Sequence, residues 1–275
     1  MQGGRLVCAF AVALLAACAP RFAELPPTGA ERPAEFPAQD YQRAAAAGRP
    51  VFRIDPGQSL VILEVRRAGS LARLGHDHVV ASHDVQGYVL PDAGRADLFV
   101  PLDRMVVDEP QLRAEAGFDT HPSAEDIAGT RRNMLQRVLE AELFPFAVVG
   151  VRDVAGGASE RMASVSITLH GTTRAMRVPL QVDAARTTLD VNGRLTLEQT
   201  AFGIAPLSIL GGAIQVRDAV DLRFRIHARL VEPLAADALR RDVRAEATVT
   251  NASKRPAPRA SKAPFSIRAP KRPWD

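Results

Sequence analysis

The run from Ala219 to Leu230 constrains this chain more than any other stretch. Val220, Leu222, Phe224, Ile226, Ala228 and Leu230 alternate with Asp221, Arg223, Arg225, His227 and Arg229. Successive side chains of an extended strand point to opposite faces, so the run writes one apolar and one polar face. A helix would scatter both sets around its circumference. Leu189, Val191, Gly193, Leu195 and Leu197 repeat the pattern against Asp190, Asn192, Arg194, Thr196 and Glu198. Val165, Ile167 and Leu169 do so again, followed by Met176, Val178, Leu180 and Val182. Upstream, Val61, Leu63 and Val65 have Glu64 and Arg66 on the other parity. Gly171-Thr172-Thr173 and Asp183–Arg186 separate the later runs as hairpin links do. Strands that are wet on one side belong to antiparallel sheets. Such a sheet hides its dry face by closing as a barrel or by stacking as a sandwich, and periodicity is the same for both.

One helix interrupts the strands. Ser123 is placed to cap it, with Asp126 three residues on and Pro122 just before. Ile127, Met134, Leu135, Val138 and Leu139 form its apolar stripe, and Pro145 prevents continuation. A second, weaker segment, Pro233 to Arg244, reads as a short Ala-rich helix.

Charge is partitioned along the chain. Of 35 basic and 31 acidic residues in 275, seven basic residues and Asp275 alone lie in 251–275. The tail thus carries +6 and the remainder −2, which together make the formal +4. All lysines (Lys254, Lys262, Lys271) are in that tail, among Pro256, Pro258, Pro264, Pro270 and Pro273. This composition describes a disordered cationic segment suited to an anionic envelope surface. The body has no basic excess to neutralise a phosphate backbone, so nucleic acid is excluded as its partner. At 47% hydrophobic residues the chain has a globular profile.

The N-terminus reads as an address. Arg5 precedes an apolar run from Leu6 to Ala17, too short to span a bilayer as a helix. It ends Leu15-Ala16-Ala17-Cys18, which looks like a bacterial lipobox with Cys18 as the lipidated residue. The resulting plan is a lipoprotein signal peptide over 1–17 and a Pro/Ala-rich tether over 18–50, most of it extended, with room for a turn of helix at Ala44–Ala47. A folded body follows over 51–232, then a short helix and basic tail over 233–275. The location expected is the periplasm, anchored to the outer membrane through Cys18, or soluble there if Cys18 is unmodified. The body itself contains no cysteine, which removes thiol chemistry.

The sharpest local motif is Gly75-His76-Asp77-His78. In an extended chain His76 and His78 share a face. Two imidazoles at that spacing can begin a zinc or copper site, but a stable one takes a third or fourth ligand. His76 and His78 are therefore weak metal candidates, and hydrogen bonding to loops or to a ligand's polar group is the competing reading. There is no G-x-S-x-G, H-E-x-x-H or Walker A sequence, so no catalytic residue is assigned.

Several of these elements, taken in order, resemble the YceI-like family of periplasmic lipid-binding proteins. They are Phe52-Arg53-Ile54-Asp55 with Ser59, the Val61–Val65 strand, Gly69-Ser70 and the Gly75–His78 motif of one branch. The helix from Ala124 to Leu139 follows, then Leu143-Phe144-Pro145, Leu169-His170-Gly171-Thr172-Thr173 and Phe202-Gly203-Ile204. Arg67 stands where many members carry a histidine. The resemblance implies a mainly β, antiparallel, lipocalin-like barrel with one inserted helix and flexible termini. It also implies a non-catalytic carrier for an isoprenoid-like lipid or quinone, held by Val61, Leu63, Val65, Leu169, Leu195, Phe202, Leu222 and Phe224. Arg67, His76 and His78 would meet the headgroup. A metal- or redox-associated module on His76 and His78, or a structural envelope adaptor, stand as alternatives. Plain core packing would show the same apolar alternation.

Overall fold

The structure is a computed structural model that describes residues 32–231. The signal segment, Cys18, the first part of the tether, the expected helix over 233–244 and the basic tail lie outside the described residues.

In chain order the elements are α1 (Ala38–Ala46), β1 (Phe52–Ile54), β2 (Leu60–Val65), β3 (Arg67–Ala68), β4 (His78–Ser82), β5 (Gln86–Leu90), β6 (Arg95–Pro101) and β7 (Val106–Val107). They continue with α2 (Pro110–Ala116), α3 (Ala124–Asn133), β8 (Phe146–Gly156), β9 (Glu160–Leu169) and β10 (Thr172–Ala184). The last are β11 (Thr188–Glu198), β12 (Ser208–Ile209), β13 (Ile214–Val216) and β14 (Ala219–Leu230).

β1 and β2 form one interrupted stave. A single turn at Pro56–Gln58 breaks it, capped by Asp55, whose Oδ1 accepts from the Gly57 N–H at 3.1 Å. Both halves pair antiparallel with β14. β4 and β5 form the next stave in the same way, pairing with β2 and β1. The sheet continues through β6, β8, β9, β10 and β11 to β14, which returns to β1. Eight antiparallel staves therefore close into a barrel, and the sandwich is excluded. The β9–β10 hairpin turns through His170 (φ 50) and Gly171 (φ 71). Two left-handed residues in succession give the turn whose twist matches the strands.

Cross-strand register sets the inner face. Leu195, Leu222, Leu63 and Val80 form one row across β11, β14, β2 and β4. Leu180, Gly193, Phe224, Val61 and Ser82 form the row beneath it. On the opposite wall Val149 and Val151 pair with Ile167 and Val165.

Three helices are described, not one. α3 has the expected reciprocal cap: the Ser123 Oγ accepts from the Asp126 N–H at 3.1 Å and Asp126 Oδ2 from the Ser123 N–H at 3.0 Å. The helical run continues past Asn133 as a π-type turn over Met134–Val138. Ile127, Met134, Leu135 and Leu139 pack against Val80, Leu102, Met105 and Val107, which seats this segment over one end of the barrel. α2 covers the outer face of β2 and β4, where Leu112 packs on Ile62, Val79 and Ala81. Ile62 is only 4% exposed although it points away from the lumen, so this outer face is dry.

α1 is longer than the turn of helix allowed at Ala44–Ala47 and docks on the barrel where the tether was otherwise expected to be extended. Tyr41 is 1% exposed and stacks on Tyr88 with ring centroids 5.2 Å apart. Its hydroxyl donates to Asp97 Oδ2 at 2.7 Å, and burial followed by that hydrogen bond raises its pKa. Asp97 also accepts from Arg95 Nε and from Arg152 Nη2, each at 2.7 Å. The docked face is short and mostly alanine, so the apolar period was too weak to read. No helix among the described residues is long and apolar enough to cross a membrane.

Candidate functional site

Closing a barrel does not by itself fill it. Towards the end where β14 finishes, Ile54, Leu189, Ile226 and Ala228 are buried in one tightly packed cluster. At the other end Leu197, Val220, Phe202 and Ile204 are buried, and Val138 and Leu139 pack on the cluster that holds Phe202 and Ile204. Between these plugs the inward-facing Val61, Leu63, Val65, Val149, Val151, Val191, Leu195, Leu222 and Phe224 keep part of their surface accessible. Such exposure marks mid-barrel space that is packed less completely than the plugs.

Gly193 shapes that space. A Cβ on Gly193 would lie 2.5 Å from Phe224 Cζ, so the missing side chain lets the ring lie flat across β11. With a larger residue there the ring would be pushed elsewhere.

The sequence-derived apolar residues divide accordingly. Val61, Leu63, Val65, Leu195, Leu222 and Phe224 share the accessible mid-barrel wall. Leu169 bridges the packing around Val165 and the packing beneath α3. Phe202, at 1% exposure, belongs to the plug.

The polar residues gather where β2 ends. His78 pairs across strands with Val65 and so continues the inner wall. Its Nδ1 is 2.6 Å from Asp108 Oδ2 and its Nε2 is 3.3 Å from Thr130 Oγ1. A carboxylate only accepts, so Nδ1 carries the proton, and in the neutral ring Nε2 accepts from the Thr130 hydroxyl. Asp108 Oδ1 accepts from the Val79 N–H at 2.9 Å and from Arg113 Nη1 at 2.6 Å. Burial pushes the Asp108 carboxyl up, but these hydrogen bonds outweigh it and hold the group below the usual carboxylate range. Arg113 also donates to the Asp77 carbonyl at 2.6 Å, tying the motif loop to α2.

His76 is less engaged. Its Nδ1 is buried with no hydrogen-bond partner among the described residues, and its Nε2 is 3.9 Å from Asp126 Oδ2. The His76 and His78 rings lie 6.1 Å apart. Arg67 donates from Nη1 to the Gly75 carbonyl at 2.9 Å and from Nη2 to Asp119 at 3.0 Å. Its backbone N–H donates to Asp77 Oδ1 at 2.8 Å, so Arg67 also braces the histidine loop. Among the described residues no three His, Cys, Asp or Glu side chains converge as a metal set. Asp108, Arg113 and Thr130 were not anticipated, because they gather around His78 from the residue before α2, from α2 and from α3, far apart in the chain. The Glu109-Pro110 step was a legible helix start, but it does not announce a partner for His78.

The model for the YceI-like domain matches residues 52–228. No curated protein matches the chain. Among solved structures, a polyisoprenoid binding domain from Saccharophagus degradans is 14% identical, with 66% of this chain and all of that one covered and a TM-score of 0.47. BcnA of Burkholderia cenocepacia is 16% identical over 63% of this chain and 98% of its own, with a TM-score of 0.44. A Campylobacter jejuni YceI protein is 12% identical over 53% and 81%, with a TM-score of 0.38. With the family model spanning the barrel from its first strand to its last, the chain belongs to the YceI-like family.

Proposed function

We propose that the protein is a non-catalytic carrier or binding protein for an amphiphilic lipid with an isoprenoid-like chain, such as a polyprenyl lipid or a quinone. The observation that carries this reading is the accessible apolar surface on inward-facing residues between two buried plugs. Apolar burial is non-directional, so such a space selects a chain-like ligand by size and dryness. Leu63, Val65, Leu195, Leu222 and Phe224 line the chain's path. His76, His78 and Arg67 stand where a polar headgroup would end, and the partnerless Nδ1 of His76 supports this placement. The cellular setting proposed is the periplasm, with Cys18 as lipid anchor at the outer membrane and the basic tail against an anionic surface. Native mass spectrometry of protein extracted from its own host tests the carrier reading. Co-purifying lipid of polyprenyl or quinone mass is expected, and a reproducibly empty barrel that also refuses added polyprenyl lipid overturns it. Mass spectrometry of the mature N-terminus tests Cys18.

A further inference from the structure

We propose that the small sheet beside the histidine loop is a bilayer-docking tip through which the barrel exchanges its ligand with a membrane. This rests on the carrier reading above. β12, β13 and β3 form this second sheet. β13 pairs with both neighbours, and the Leu71 N–H donates to the Ala213 carbonyl at 2.8 Å, so 67–74 and 208–216 are one unit. Gly69 makes the contact possible: at φ 95, any Cβ there would lie 2.4 Å from the Ala213 oxygen.

This unit displays apolar side chains instead of burying them. Leu74 is 61% exposed, Ile209 47% and Leu210 71%. Leu210 holds a left-handed φ of 52, followed by Gly211 at 64 and Gly212 at 91. Such a conformation is rare for a branched side chain and is a pointer to function. Of the six large apolar residues exposed among the described ones, Leu74, Leu143, Ile209 and Leu210 sit in the short elements and connections at this end, Val106 lies in β7, and Met162 lies at the opposite end.

Two further observations select a lipid surface as the occupant. Arg73 and Arg217 flank the tip, exposed, and neither enters an ion pair among the described residues. Leucines with adjacent unpaired arginines match an interface of acyl chains under anionic headgroups. The N-terminal segment meets the barrel wall before β1 begins at the far end, where Phe52 pairs with Leu230. The Phe36 ring packs on Phe99 at 4.9 Å, and Phe99 on Phe146, the first residue of β8, at 5.6 Å. Residues 19–31 span at most roughly 45 Å when extended, so an anchor at Cys18 would keep the tip within reach of its bilayer.

The experiment uses the full chain with Cys8→Ser and Cys18→Ser and has two arms. In the first, transfer of an octaprenyl quinone is followed from phosphatidylethanolamine–phosphatidylglycerol vesicles to the protein. Leu74→Ser/Leu210→Ser is expected to slow transfer about tenfold, while its equilibrium binding of the same quinone in detergent and its urea midpoint stay unchanged. Unchanged transfer by a variant that still binds overturns the docking tip. Absence of quinone binding in detergent by the parent chain as well defeats the carrier reading instead. The second arm needs no ligand. A fluorophore at Leu210→Cys is expected to shift to the blue on adding the vesicles, and one at Met162→Cys is not. No shift at 210, or equal shifts at both sites, overturns the tip.

Discussion

His78 Nδ1 donates to Asp108 Oδ2 across 2.6 Å, and that carboxylate is wholly buried. The pair joins the inner wall of the barrel to the start of α2, since Arg113 meets the other carboxylate oxygen. It fixes which imidazole nitrogen remains to face Thr130 and any headgroup.

Replacing the carboxylate tests this arrangement. Asp108→Asn removes the charge that Arg113 and His78 share and is expected to cost about 3–4 kcal/mol at neutral pH, read from urea denaturation. The pH dependence follows from the lowered pKa. The stability contributed by Asp108 is complete above the ordinary carboxylate pKa of about 3.9 and is lost as pH falls through its lower folded value. The variant's acid limb is therefore shallower than that of the parent. Parallel acid limbs would show that Asp108 does not carry this dependence.

His76 offers the reverse case. Its buried Nδ1 has no hydrogen-bond partner among the described residues, so His76→Ala is expected to change stability by less than about 1 kcal/mol. Binding of a quinone or polyprenyl phosphate is expected to fall by roughly tenfold, equivalent to about 1.4 kcal/mol. Titration in detergent measures this, and unaltered affinity removes His76 from the headgroup site.

Leu222→Trp distinguishes an open lumen from a filled core. In a close-packed interior the added volume costs about 1–3 kcal/mol. Where Leu222 borders unfilled space, the indole is accommodated at a cost below about 1 kcal/mol, and lipid binding is blocked. A large drop in thermal stability would argue for a packed core.

Tyr41→Phe keeps the ring on Tyr88 but withdraws a donor from Asp97, which retains Arg95 and Arg152. The expected cost is about 1–2 kcal/mol, seen as a lower urea midpoint. No measurable change would mean that α1 is held by its apolar contacts alone.

Much of the barrel was legible because strand alternation is a local property. Each strand face is decided by the residues of that strand, so β9, β10, β11 and β14 appear where Val165, Val178, Leu195 and Phe224 alternate with polar neighbours. The cap of α3 was legible for the same reason, since Ser123 and Asp126 lie within one turn.

Other features depend on distance in the chain. Alternation cannot distinguish a barrel from a sandwich, because both hide one face of each strand; the return of β14 to β1 decided it. The sequence placed Ile62 opposite the lumen residues but gave no sign that α2 would cover it, because Leu112 is fifty residues away. The His76–His78 motif was visible, yet its chemistry came from Asp108, Arg113 and Thr130, which only the packing of α2 and α3 on the barrel brings together. Thus the residues alone determined which side of each strand is dry. The tertiary structure decided where that dryness is fully packed and where it stays partly accessible, because packing is a property of all the walls at once.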